Sequence, residues 1–339
     1  MGEFLQKEFG EFHQKITQDD YGDLRDKREM LIQELRDWLK QNNKPGFDEF
    51  NQGSYAMKTT IKPLDGEDYD IDVGLEFNLS VDQYKDPTEV KQWVIDAFSK
   101  KQNRNVIPKK PCVRVQYIKD GEPRFHLDFA VYGRKDINSK KENLYLAIGK
   151  PNSGETNRKW DSAEPFELKE KINKAFEKSD EQMQMRRCIR ALKRWKDFKF
   201  SDGNGRPTGI AITAMALKWF NPYVYDPISE EAKVSDLKAL SYLVSKIESN
   251  NYGLDITLPV KPGNDLFSKM KNSETYIENY KKKLKGLKAA LKDASEKDDE
   301  HDAGEILQKH FGTDFPIPPK KEKPRATNQP AIAPSIGSA

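Results

Sequence analysis

The chain has 339 residues, enough for two lobes, because single hydrophobic cores stop growing near ~250 to 300 residues. Its 58 Lys and Arg against 55 Asp and Glu leave a formal charge of +3, all of it carried by Lys320, Lys321, Lys323 and Arg325 against Glu322 near the end. A near-neutral body argues against a protein built to grip a duplex or long RNA, so no strong nucleic-acid binding is expected.

Two cysteines, Cys112 and Cys188, exclude a disulfide framework, and the scattered histidines His13, His126, His301 and His310 exclude a zinc module. With no signal-peptide pattern and no apolar run of about eighteen residues, the expectation is a cytoplasmic protein without a membrane span.

From Tyr21 to Asn43 the residues Leu24, Leu31, Leu35, Trp38 and Leu39 recur at helical spacing, which predicts one long amphipathic helix ending before Pro45. A turn follows at Gln52-Gly53-Ser54, where glycine permits a tight bend and leaves N–H groups and a hydroxyl free for a phosphate. About fifteen residues on lies DGEDYDIDVGLEF. Read as a strand, it puts Asp68, Asp70 and Asp72 on one face and Tyr69, Ile71, Val73, Leu75 and Phe77 on the other. A calcium loop is excluded, because its obligatory Gly position is Val73 and its closing Glu position is Leu79.

The segment DPTEVKQWVIDAFSKK reads as a helix with Pro87 in its first turn. In the next acidic segment, FHLDFAVY, Phe125, Leu127, Phe129 and Val131 alternate with His126, Asp128, Ala130 and Tyr132. Pairing the two strands would bring Asp128 against Asp70 and Asp72. Converging carboxylates repel unless a cation neutralises them, and an oxygen cluster suits two Mg²⁺ or Mn²⁺ ions in phosphoryl or nucleotidyl transfer.

After the polar stretch GKPNSGETNRKWD the pattern becomes helical over Leu168 to Phe200, Ile210 to Phe220, Leu237 to Ile247 and Asp265 to about Ala294. From Pro316 the Pro-, Ala- and Ser-rich PIPPKKEKPRATNQPAIAPSIGSA reads as a flexible tail.

In order along the chain, QGSYAMKTTIKP, DYDIDVGLEF, FHLDFAVYG, MRRCIRALKRWKDF, GRPTGIAITAMAL and LPVKPGNDLFSKM resemble the bacterial cGAS/DncV-like nucleotidyltransferases (CD-NTases) of anti-phage CBASS systems. The resemblance implies an α+β, two-lobed, polymerase-beta-like nucleotidyltransferase fold: a mixed-sheet catalytic lobe over 49–160, a helical lobe over 161–315, N-terminal helices 1–48 packing with the C-terminal lobe, and a tail from 316. It implies a cyclic oligonucleotide synthase, with ATP and GTP as expected substrates and a purine-containing cyclic dinucleotide as product.

Carried over by position, Asp70, Asp72 and Asp128 are the metal ligands. Gln52, Gly53 and Ser54 meet the donor phosphates, while Lys193 and Thr208 reach the triphosphate from the second lobe. The family more often has Ser near Thr208. Some members end in a small residue that an E1/E2 pair resembling ubiquitin transfer joins to target amines, which makes Ala339 the expected conjugation point, and a separate effector responds to the product. The alternatives are a cyclic trinucleotide or pyrimidine-containing product, a nucleotidyltransferase acting on RNA or a small molecule, and a nucleotide-binding module without catalysis. The last predicts loss of a metal-binding Asp, and all three are present.

Overall fold

The structure, a computed structural model, describes residues 4–18, 22–64, 69–99, 101, 104–119, 122–138, 144–223 and 234–320. Two helices open the chain, α1 (Gln6–Ile16) and α2 (Gly22–Gln41), followed by β1 (Phe47–Asn51), the single turn α3 (Gly53–Ala56) and β2 (Tyr69–Ser80). Then come α4 (Pro87–Phe98), β3 (Arg104–Pro108), β4 (Val113–Lys119), β5 (Glu122–Arg134), β6 (Leu144–Ile148) and β7 (Lys159–Ala163). These seven strands form one sheet in the order β1-β2-β5-β4-β3, extended by β6 on β5 and β7 on β6. Only β2 and β5 run parallel, so the sheet is mixed, as expected.

The alternation in the two acidic strands sets what each sheet face meets. Ile71, Val73, Leu75 and Phe77 of β2 and Phe125, Leu127, Phe129 and Val131 of β5 are buried in one core with α2 and α4. Helix α4 begins where the sequence places it: Pro87 fills the first turn and the Asp86 carboxylate accepts from the Thr88 N–H at 2.9 Å.

The second lobe comprises α5 (Pro165–Asn173), α6 (Ser179–Lys199), α7 (Gly209–Trp219), α8 (Asp236–Ser249), the hairpin β8 (Thr257–Leu258) and β9 (Lys261–Asp265), α9 (Glu274–Ser295) and α10 (Glu300–Phe311). Two predicted helices are shorter than expected. The pattern over Leu168 to Phe200 is split, with Gln182 bridging the break: its Oε1 accepts from the Phe176 N–H at 3.1 Å and its Nε2 donates to Ile172 O at 2.8 Å. The pattern from Asp265 covers the end of β9 first, and α9 starts at Glu274, capped by the Ser273 hydroxyl.

The two N-terminal helices part company, where both were expected on the C-terminal lobe. Helix α1 buries Leu5, Phe9, Phe12 and Ile16 in the core of the helical lobe, whereas α2 buries Leu24, Leu31, Ile32, Leu35 and Leu39 against the sheet. The apolar stripe of α2 matches the oily sheet face, which α4 covers beside it.

Residues 316–320, expected at the start of the flexible tail, lie along α10. Pro318 O sits 2.8 Å from His301 Nδ1, and a Cβ at Gly304 would come within 3.0 Å of Pro318 Cδ. Glycine makes that close approach possible. The rest of the tail, with Ala339, lies outside the described residues, as does Asp68. Among the described residues no helix is long and apolar enough to cross a membrane.

Candidate active site

The sheet face turned away from α2 and α4 meets the helical lobe across a cleft of about 1000 Å³. Gln52, Gly53, Ser54, Asp70, Asp72, Arg114, His126 and Tyr132 line it from the sheet side, and Lys193, Lys196, Asp197 and Arg206 from the helices. The parallel register of β2 and β5 pairs Asp72 with Asp128 and Asp70 with His126, so four polar side chains project from one patch of sheet.

Donor atoms of Asp70, His126 and Asp128 lie within 4.8 Å of one another. His126 Nε2 stands 3.3 Å from Asp70 Oδ1, and this carboxylate raises the imidazole pKa against the opposing effect of burial. Burial first, and then the neighbouring Asp70 and Asp128 carboxylates, push the Asp72 carboxyl up to about 7. A patch that resists ionisation of its own acid is short of positive charge, and carboxylate oxygens with one imidazole nitrogen suit a divalent cation. The residues present therefore fit the metal that the sequence pattern implies.

Gly53 reaches over this patch. With φ at +62° it opens α3 in the left-handed region, and a Cβ there would stand 1.8 Å from Asp72 Oδ2. Any side chain would displace the carboxylate, so glycine is required twice, for backbone and for space. The loop is fixed to the sheet by Gln52 N–H donating to Asp72 O at 3.3 Å and by Tyr132 OH donating to Gln52 Oε1 at 2.8 Å. Beyond it, Thr60 Oγ1 donates to Ser54 Oγ at 3.3 Å.

Lys193 comes from the middle of α6 and is buried, its Nζ donating to Thr59 O at 2.9 Å and to Thr59 Oγ1 at 3.0 Å. Burial, reinforced by Lys196, pushes its pKa down to about 7. Thr208 takes another place: it is exposed, does not line the cleft, and its hydroxyl accepts from the Ala211 N–H at 3.2 Å as the N-cap of α7. The next residue, Gly209, lines the cleft instead.

Sequence reasoning missed several cleft residues. His126 was available to it, being two residues before Asp128 on the same strand face. Arg114 was not, because its place opposite Asp128 depends on the β4–β5 register: its Nε and NH2 donate to the two Asp128 oxygens, each at 2.8 Å. Lys196 and Arg206 both pair with Asp197 at the helical wall. At the end of the segment after α7, the Tyr223 N–H donates to Gln184 Oε1 at 2.7 Å.

Residues 48–132 match the family model of the nucleotidyltransferase domain of cyclic GMP-AMP synthase DncV-like proteins. Among curated proteins, a c-di-GMP synthase of Roseivirga ehrenbergii is 24% identical over 244 residues, covering 64% of this chain and 59% of that protein, so the match spans little more than half of the relative's length. The crystal structure of the Vibrio cholerae DncV cyclic AMP-GMP synthase superposes with a TM-score of 0.72 at 16% identity, covering 92% of this chain and 97% of that one. The same enzyme with its linear pppA(3',5')pG intermediate gives a TM-score of 0.68 at 14% identity, covering 91% and 96%.

Proposed function

From a chain whose residues 48–132 form a DncV-like nucleotidyltransferase domain, we propose a cyclic dinucleotide synthase, a CD-NTase that joins two purine nucleoside triphosphates into a second messenger of anti-phage defence. The observation that carries this reading is the juxtaposition of Asp72 with Asp128 and of Asp70 with His126, under a glycine that touches the Asp72 carboxylate, at the floor of a cleft between two lobes. The purine preference is supported by relatives whose names specify cyclic AMP-GMP and c-di-GMP.

Asp70, Asp72 and Asp128 would hold divalent metal, Mg²⁺ or Mn²⁺, with His126 beside them. The chemistry supplied by a cation held there is neutralisation of the triphosphate and a lowered pKa of the acceptor hydroxyl. The chain's own residues position the reactants. The α3 turn, starting at Gly53 and Ser54, presents backbone N–H groups and a hydroxyl to the donor phosphates. Lys193, its pKa pushed down by burial, would be favoured in its charged form by an approaching phosphate, and Lys196 and Arg206 add positive field from the same wall. In the cleft of about 1000 Å³ a donor and an acceptor would lie side by side, and holding them in line supplies most of the rate enhancement in such transfers. A linear intermediate that stays in the cleft and presents its free hydroxyl for a second transfer gives the ring.

The protein is proposed to act in the cytoplasm on ATP and GTP, its product read by a separate effector, with Ala339 open to conjugation by an E1/E2 partner. The test is incubation with the four NTPs, each α-³²P-labelled in turn, with Mg²⁺ and with Mn²⁺, followed by phosphatase treatment and mass spectrometry. A phosphatase-resistant cyclic product containing only purine label is expected. Label transferred only to added RNA or to a small molecule would replace this reading with another nucleotidyltransferase activity.

A further inference from the structure

Arg114 and Asp128 are direct partners in the antiparallel register of β4 and β5 and project from the same sheet face. The guanidinium takes both carboxylate oxygens in a fork, Nε to Oδ1 and NH2 to Oδ2, each at 2.8 Å. The Asp128 side chain is 12% exposed and that of Arg114 26% exposed, so the pair is screened from water on the Asp side while the arginine still borders the cleft. Paired guanidinium and carboxylate planes that are partly desolvated hold each other far better than exposed pairs do.

The fork occupies one lone pair on each Asp128 oxygen, and a divalent cation on the remaining ones would face the guanidinium at close range, where like charges repel. Resting on the reading of this patch as a metal site, we propose that Arg114 is a positioning residue that competes with the metal for Asp128. It neutralises the third carboxylate in the metal-free chain and must release it when the cation binds. Its release direction is set by the cleft it already lines, toward the phosphates of a bound nucleotide. Metal and nucleotide would then favour each other, because the phosphates give the displaced guanidinium a new anionic partner.

The experiment is titration of the nucleotide-free protein with Mn²⁺, the free ion followed by electron paramagnetic resonance, in wild type, R114Q, R114K and R206Q. R206Q removes a cleft cation whose partner is Asp197, outside the carboxylate cluster. The expected result is about tenfold tighter Mn²⁺ binding in R114Q, the equivalent of one charge-assisted hydrogen bond no longer opposed, with R206Q within about twofold of wild type. If R114Q fails to fold, R114K carries the test: it keeps the charge, gives up the fork and should bind about threefold more tightly. Unchanged or weaker binding in the Arg114 variants overturns the proposal, and so does equal tightening in R206Q, which would mean that any lost positive charge suffices. Absence of Mn²⁺ binding in all four proteins overturns the metal site itself, an outcome distinct from failure of the competition.

Discussion

Substituting Gly53 by alanine tests the central geometric claim with a single methyl group. The new Cβ would lie 1.8 Å from Asp72 Oδ2, 2.6 Å from its Cγ and 2.9 Å from its Cβ. Restoring an ordinary carbon–oxygen separation of about 3.3 Å requires the carboxylate to retreat by about 1.5 Å. Misplacing a reacting group by about 1 Å costs on the order of 10²-fold in rate, so G53A should lose at least that in kcat/KM, about 2.7 kcal/mol of transition-state stabilisation. An L-residue held at φ +62° adds about 1 to 2 kcal/mol of backbone cost, a fall of a few degrees in Tm. The assay is initial-rate formation of nuclease-sensitive product from ATP and GTP, with circular dichroism to verify folding. Gly209→Ala is the matched control, since its Cβ would meet Lys193 Cε at an ordinary 3.5 Å and should change kcat/KM by less than about threefold. A folded G53A enzyme within about fivefold of wild type would refute the claim that Gly53 sets the place of Asp72.

Asp70→Asn with Asp72→Asn should abolish product formation, by at least about 10³-fold, while raising the Tm of metal-free protein by a few degrees as mutual carboxylate repulsion disappears; a lower Tm would contradict the crowding of charge at this patch. Burial, with Lys199 nearby, pushes the His310 pKa from the ordinary value down to about 4, so the unfolded chain binds its proton more tightly than the folded one. Stability from this residue is therefore present above pH 6.5 and lost as pH falls toward 4, by about 1 to 2 kcal/mol after discount for partial exposure, and His310→Gln should flatten the Tm profile over that window. Lys91 is fully buried, its ammonium donating to Lys109 O at 2.7 Å, Lys110 O at 3.1 Å and Gly149 O at 2.6 Å. Lys91→Met removes the ammonium from all three, leaving Lys110 O with only the Gly149 N–H, and should cost about 3 kcal/mol, read as a fall of several degrees in Tm.

The two acidic strands were legible because alternation is a local property: eight apolar residues that share one face name both the strands and the core side. Their adjacency then followed from chemistry, since only adjacency gives Asp128 a reason to sit on that face, while the parallel direction comes from the structure. The Arg114–Asp128 fork was not legible, because VRVQYI offers Arg114 to a sheet face without saying which residue of a neighbour it meets. Thr208 was misplaced for a different reason. A hydroxyl before a helix serves the helix first, and Thr208 answers the free N–H of Ala211 rather than the cleft. The hairpin β8–β9 was hidden in LPVKPGND, too short and too rich in Pro and Gly to show a period. Helix α1 went unread, although Leu5, Phe9, Phe12 and Ile16 stand at helical spacing, and its burial with the second lobe is decided by packing that no local pattern carries.

The segment after α3 explains why the loop opened by Gly53 belongs to both lobes. At its upstream end the loop is tied to the sheet through Gln52, whose N–H donates to Asp72 O. Downstream, Met57 is buried in the core of the helical lobe, and fully buried Thr59 accepts the Lys193 ammonium. Further on, Arg194 NH2 donates to Lys62 O at 2.9 Å, and the Lys62 N–H donates to Ile16 O at 2.8 Å. A rotation of one lobe against the other must therefore strain this strap, and the strain falls on Gly53 and Ser54 because they lie between the two anchors. Lys193 fastens the strap and lines the same cleft, so substituting it would loosen the loop as well as remove a cation from the helical wall.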